Sequence, residues 1–222
     1  MRIHYLLPVL FIFFTSSCSR PSFYQIANFE YHTKSHEVIA ILPFEVYTFG
    51  KLPADIDEKD LIEMENVESA ELQAQLYEGI LESKHDNQDM LSVKLQHHNE
   101  TNLILESSGI SVRDSWSYTP DELAELLDVD AVLIARVEKE QSFSDGISAA
   151  IEIGQVLLSI LANDVYLDGR AANKTLIGDY ALVSRDGVVL WQLGSDKLLD
   201  WKYNQDRCIK RMNSRSAKYF PY

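Results

Sequence analysis

Apolar and polar positions change their spacing several times along the chain, and each change marks an element. Val38-Ile39-Ala40-Ile41-Leu42-Pro43-Phe44 is a short apolar run stopped by proline, which predicts a strand covered on both faces of a sheet. Lys51 to Glu65 is a charged excursion with little period. From Glu68 to Ser83, Leu72, Leu76 and Ile80, with Ala70, Tyr77 and Leu81, recur at helical spacing and predict a helix packed on that sheet. Met90 to Leu95 reads as a second strand, and Thr101 to Glu106 as a short helix. Ser107-Ser108-Gly109 ends that helix, because glycine just past a periodic segment takes the left-handed C-cap conformation without steric cost.

Thr119-Pro120-Asp121-Glu122 combines an N-cap threonine, proline at the first helical position and a glutamate placed to close a capping box, so a helix is expected from Pro120 to Leu127. Asp128-Val129-Asp130 turns the chain into Ala131-Val132-Leu133-Ile134-Ala135-Arg136-Val137, a second apolar strand of the central kind. Gly146 to Ala162 is almost continuously apolar, with Ile147, Ile151, Gly154, Leu157, Leu158 and Leu161 broken by Glu152 and Gln155. That is too polar for a membrane span. It reads as a buried helix or as a segment that meets a membrane or a neighbouring subunit. Thr175 to Ser184 and Val188 to Leu193 flank Arg185-Asp186-Gly187, and Asp-Gly between two strand-like runs predicts a hairpin. These elements together predict one α/β domain over 38–222, with a mixed sheet of about five strands, helices packed on it and a C-terminal β-hairpin.

The first residues follow a different rule. Met1-Arg2 supplies a positive start, and Leu6 to Phe14 is apolar apart from Pro8, the length of a signal-peptide core and too short to cross a bilayer. Thr15-Ser16-Ser17-Cys18 follows and resembles the lipobox read by lipoprotein signal peptidase, with Thr15 standing where an aliphatic residue is usual. Residues 1–17 are therefore expected to be a signal peptide, Cys18 the site of lipid attachment, and 18–37 a lipidated cysteine and tether. Ordinary secretory cleavage nearby is the alternative. Cys208 is the other cysteine; with Cys18 lipidated it has no intramolecular partner and is expected to be a free thiol, most simply a buried one.

Charge narrows the partners. Lys+Arg 20 against Asp+Glu 34 gives a net charge of −14, which repels phosphate backbones and argues against nucleic-acid binding. The acids concentrate between Asp55 and Asp89, and the last residues, Lys197 to Tyr222, are basic. These stretches are either separate solvated surfaces or complementary faces that meet each other or a partner.

No G-x-S-x-G, Gly-rich phosphate loop, H-E-x-x-H or C-x-x-C occurs in the sequence, so no catalytic, cofactor or metal residue is assigned and no enzymatic activity is expected. His97 and His98, beside Glu100, are adjacent and are expected to point apart rather than share a metal. The carboxylates from Asp55 to Glu71 read as a solvated face. Trp116 and Tyr118, just before the capped helix, either line a groove or pack a loop on the core.

Ile39-Ala40-Ile41-Leu42-Pro43-Phe44, Thr119-Pro120-Asp121-Glu122-Leu123 running into Asp130-Ala131-Val132-Leu133, and Asp186-Gly187-Val188-Val189-Leu190-Trp191 resemble periplasm-facing lipoproteins. The group includes small lipoproteins of Bacteroidota and, more distantly, the curli-assembly lipoprotein family of CsgG. The resemblance implies an outer-membrane lipid anchor, palmitate among its acyl chains, and a domain facing the periplasm. The alternating lipid-facing strands of a pore are missing from the corresponding places. The expected function is a non-enzymatic envelope lipoprotein that binds a protein partner or assembles with itself, with Gly146 to Ala162 as contact segment. An accessory that binds a peptidoglycan enzyme or cell-wall glycan, and a hydrolase with an unidentified site, are the alternatives.

Overall fold

A computed structural model describes residues 22–51, 56–86, 91–142, 174–199 and 205–222. Its elements are β1 (Ser22–Gln25), α1 (Phe29–Thr33), β2 (Val38–Ile41), β3 (Glu45–Lys51), α2 (Glu58–Asp86), β4 (Lys94–Leu95), α3 (His98–Ser107), α4 (Val112–Ser115), α5 (Pro120–Leu126), β5 (Ala131–Ser142), β6 (Lys174–Ser184), β7 (Val189–Leu199) and α6 (Gln205–Lys218). The strands form one mixed sheet in the order β1-β7-β6-β5-β2-β4, with β3 also on β5. β2 runs parallel to both β4 and β5, and each neighbouring pair in the series β5, β6, β7, β1 is antiparallel.

The apolar run of β2 is explained by helices on both sides of the sheet. Ile39 and Ile41 join the large core with Leu72, Leu76 and Ile80 of α2 and Ile209 and Met212 of α6, while Ala40 and Leu42 face Leu105 of α3, Leu123 of α5 and Leu127 at its C-cap. β5 alternates likewise, Leu133 and Val137 on the first side and Val132 on the second. A strand buried on both faces must be apolar throughout, as the sequence reads. The Asp130 carboxylate accepts the backbone N–H groups of Glu37 and Val38 at 2.7 and 2.9 Å and so fixes where β2 begins. At its other end the Ile41 carbonyl accepts from Gln73 Nε2 at 2.8 Å.

α3 and α5 both end on a left-handed residue, the first as the sequence predicts. Gly109, at φ 77°, ends α3 with Ile110 N donating to Leu105 O and Gly109 N to Glu106 O, the two bonds of a Schellman motif. Asp128, at φ 52°, closes α5 with the same pair, through Val129 N to Ala124 O and Asp128 N to Glu125 O. Gly187 turns the expected hairpin, also at positive φ.

The structure departs from the expected outline in several places; α4 and α6 are among the elements it adds. Among the described residues the sheet has seven strands rather than about five, because β1 and β3 add to it. α2 begins ten residues before Glu68, inside the charged excursion, since a run with few apolar residues still forms helix when one face is held by the sheet. The second strand shortens to Lys94–Leu95. The tether expected from Cys18 to Glu37 is folded from Ser22 onward: β1 pairs with β7, and Phe29 of α1 is buried edge-on against Tyr222 at 5.3 Å. A four-residue strand carries too little periodicity to show in sequence, and its partner lies almost 170 residues away. α6 packs along α2 through buried Ile209 and Met212 and through Asn213, whose Nδ2 donates to Leu72 O, while Lys210, Arg211 and Lys218 are exposed.

Candidate functional site

β2 and β3 lie end to end along the same edge of β5, and Pro43 separates them. Ile41 pairs with Leu133 and Glu45 with Arg136, so three residues on one side oppose two on the other. The extra residue bends the edge at the proline, as bulges do. Here the chain leaves a cleft of about 130 Å³ lined by Leu42, Pro43 and Glu45, by Ile134 and Ala135 of β5, and by Trp116, Tyr118 and Leu123 from the α4–α5 region. The loop that carries Trp116 is fixed by two caps. Ser111 and Asp114 bond reciprocally at the start of α4, and Glu122 accepts from both the backbone N–H and the hydroxyl of Thr119 at 2.9 Å.

Beside the cleft runs a ladder of alternating charge and ring. Glu65, a buried residue of α2, accepts from Arg113 at 2.7 Å with one oxygen and from the Thr48 backbone N–H at 2.7 Å with the other. The Arg113 guanidinium sits 5.0 Å from the Trp116 ring centre, Trp116 lies 5.5 Å from Tyr47, and Arg136 sits 4.7 Å over Tyr47. Arg136 then pairs with Glu138 at 2.6 Å and approaches Glu45 at 3.9 Å. Burial pushes the Glu45 carboxyl above its ordinary range, opposed by Arg136. Both arginines are held flat by a carboxylate and a ring, the arrangement in which a guanidinium is preorganised.

Trp116 and Tyr118 therefore do line a groove, and Trp116 also packs on the core. Glu65, which is buried, and Glu68, which is half-buried and paired with Lys139, depart from the solvated acidic face. Tyr47, Arg113, Arg136 and Glu45 escaped notice because each is an ordinary surface residue in sequence; the alternation Glu45, Tyr47, Phe49 was the one available signal. His97 and His98 do not point apart: their rings stack at 4.3 Å, and each meets Tyr77 edge-on. His97 is the extended N-cap residue of α3, its Nδ1 accepting from Asn99 N, and that change of backbone direction swings the two rings together. Among the described residues, no group of three or more potential metal ligands is found. Cys208 is a buried free thiol. The expected signal peptide, Cys18, and the segment holding Ile147, Ile151, Gly154, Leu157, Leu158 and Leu161 lie outside the described residues.

The fold and cleft define a single α/β domain with a mixed sheet between helices. Among the described residues no helix is long and apolar enough to cross a membrane. No protein-family model and no curated protein matches the chain. Among solved structures, the chain is similar to the PelC dodecamer from Paraburkholderia phytofirmans, at 10% identity over 90% of this chain and 92% of that one, with a TM-score of 0.37. It is also similar to lipoprotein GNA1162 from Neisseria meningitidis, at 14% identity over 82% and 96% with a TM-score of 0.41. The LpoB C-terminal domain from Salmonella enterica follows at 10% identity over 74% and 83%, with a TM-score of 0.31.

Proposed function

We propose that the chain is an envelope lipoprotein held to the outer membrane by lipid on Cys18, with a non-enzymatic, periplasm-facing domain that binds a protein partner or a further copy of itself. The observation that carries this reading is the order of the first 18 residues: a positive start, a short apolar core, three small residues and then cysteine. Ser19, with no acid beside the cysteine, agrees with outer-membrane sorting. The binding half is supported by the Arg113–Trp116–Tyr47–Arg136 ladder, since tryptophan, tyrosine and arginine dominate protein-binding hot spots. A cleft of about 130 Å³ takes one side chain of a partner rather than a metabolite. Gly146 to Ala162 is the second contact segment in this reading.

Palmitate labelling of the wild type against Cys18→Ala tests the anchor. Label on the wild type that is lost in the variant, with release into the soluble fraction, is expected; an unlabelled wild type in a bacterial host sinks the reading. For the domain, light scattering with and without detergent reads self-assembly, and a crosslinked envelope partner lost on Trp116→Ala reads the cleft. A second reading, binding of cell-wall glycan, is favoured by Trp116 and Tyr118 in one cleft with Glu45, because rings and carboxylates grip sugars by stacking and hydrogen bonding. Titration with soluble peptidoglycan fragments, followed by indole emission in wild type and Trp116→Phe, separates the two.

A further inference from the structure

We propose that β1 and α1 form a membrane-contact edge, in which the rings of Phe23, Tyr24 and Tyr31 seat in the headgroup layer of the lipid surface that carries Cys18. The inference rests on lipid attachment at Cys18. β1 is the terminal strand of the sheet, and all four of its residues are exposed. Its register sets Phe23 beside the buried Leu193 and Tyr24 beside the exposed Gln192, so the two rings project from opposite faces of one sheet edge. α1 follows after Asn28, which takes a left-handed conformation at φ 58°. Buried Phe29 roots α1 in the core and leaves Tyr31 outside, 78% exposed. Phe23 and Tyr24 are about half exposed, at 55% and 45%, so three large rings face outward within ten residues of one another.

The length of chain between anchor and edge selects the occupant. Only Ser19, Arg20 and Pro21 separate Cys18 from Ser22, so the Cys18 backbone lies at most about 14 Å from the first residue of β1. A lipidated Cys18 therefore holds this edge against the bilayer surface, where tyrosine rings are favoured because one end is apolar and the other meets water, and where the wholly apolar Phe23 ring leaves water for the acyl boundary. Charge agrees. Residues 19–37 carry two cations, Arg20 and Lys34, and two acids, Glu30 and Glu37, on a chain whose net charge is −14. This neutral stretch can approach lipid phosphates that repel the acidic bulk. A second copy pairing edge to edge along β1 would cover the same rings and is the competing occupant.

The chain beginning at Cys18 is coupled through that thiol to maleimide-bearing lipid in phosphatidylcholine vesicles; Cys208 is buried and does not compete. Tyr31→Trp adds an indole whose emission is compared on vesicles with ordinary and with brominated acyl chains, the native indoles setting the baseline. Quenching of most of the added emission is expected, and its loss when Phe23→Ser and Tyr24→Ser are introduced as well. These exposed substitutions should leave the thermal midpoint unchanged, so lost quenching cannot be put down to unfolding. An added indole that stays unquenched overturns the proposal, as does a lipid-independent dimer in sedimentation that Phe23→Ser dissociates. Because coupling is chemical, this outcome is separate from palmitate labelling: an unlabelled wild type ends the anchor reading, whereas unquenched coupled protein ends only the contact edge.

Discussion

The Tyr222 hydroxyl lies 2.5 Å from His36 Nδ1, joining residues 186 positions apart. The Tyr222 ring also meets Phe29 at 5.3 Å and Phe220 at 5.6 Å, so this cluster holds α1 and the approach to β2 against the end of the chain. Burial pushes the imidazole below its ordinary 6.5, opposed by the Asp130 and Asp186 carboxylates. Burial, and then Asp130, push the Tyr222 phenol upward. Near neutral pH the phenol therefore donates to an uncharged imidazole.

Acid should loosen this cluster. With its folded pKa below the unfolded 6.5, His36 contributes stability that is complete above 6.5 and is lost as pH falls from there through the folded value. Protonation also removes the acceptor that Tyr222 uses. Urea midpoints should thus fall between about pH 7 and pH 5, and His36→Gln should flatten part of the decline. His98 contributes in the same direction, lowered by burial and then by His97 against the pull of Glu78, so the double variant with His98→Gln should flatten it further. An unaltered slope in the double variant would refute the assignment. Tyr222→Phe should cost about 1 kcal/mol at neutral pH, the net worth of one hydrogen bond.

The two helical layers should answer independently to core truncation. Leu76 of α2 is fully buried in the large cluster and Leu123 of α5 is almost fully buried in the smaller one across the sheet. Leu76→Ala and Leu123→Ala should each cost about 2–5 kcal/mol through lost transfer energy and residual cavity. Because they share no partner, their effects should add in the double variant. Chemical unfolding followed by circular dichroism checks this; strong non-additivity would mean that the sheet transmits strain between its faces.

The alternation of helix and apolar strand was legible because burial on both faces leaves β2 and the first half of β5, Ala131 to Ala135, no polar positions, and the caps at Thr119 and Gly109 depend on local chemistry alone. β1 and β3 were not legible. β3 is charged and aromatic because one end of it borders the cleft, and β1 is exposed throughout, so neither carries the signature of a buried strand. The cleft was half legible: Trp116 and Tyr118 stood out beside the capped helix, but Arg113, Tyr47 and Arg136 come from three separate elements. Only the proline bend between β2 and β3 brings them together. His97 and His98 failed for a related reason, since alternation holds within one element and not across an N-cap.

The Glu65–Arg113 pair should respond asymmetrically to its two truncations. The Glu65 side chain is 4% exposed and that of Arg113 36%, so loss of the arginine strands a buried carboxylate while loss of the charge on Glu65 leaves a guanidinium that water can reach. Arg113→Ala should cost about 1–3 kcal/mol, below the range for fully buried pairs because Arg113 is partly solvated. Glu65→Gln keeps an oxygen for the Thr48 N–H and should cost less. Combining the two should recover part of the Arg113→Ala loss, measured as a double-mutant cycle in urea.

Glu45 should report on the cleft with the opposite pH sign to His36. Its folded pKa is raised by burial above the ordinary 4.5, with Arg136 opposing, so its contribution to stability is complete below 4.5 and is lost as pH rises through the folded value. At neutral pH the ionised carboxylate is held where solvation is poor. The nearest cation, Arg136, is 3.9 Å away and is already engaged by Glu138 at 2.6 Å. Glu45→Gln should therefore raise the thermal midpoint at neutral pH and abolish the advantage at acid pH. A ligand that brings a cationic group into the cleft should lower the Glu45 pKa on binding and so release protons, a release missing from the Gln variant, which calorimetry in two buffers of different ionisation heat resolves. A midpoint that falls on Glu45→Gln at neutral pH would instead show that the carboxylate stabilises the bend through Arg136.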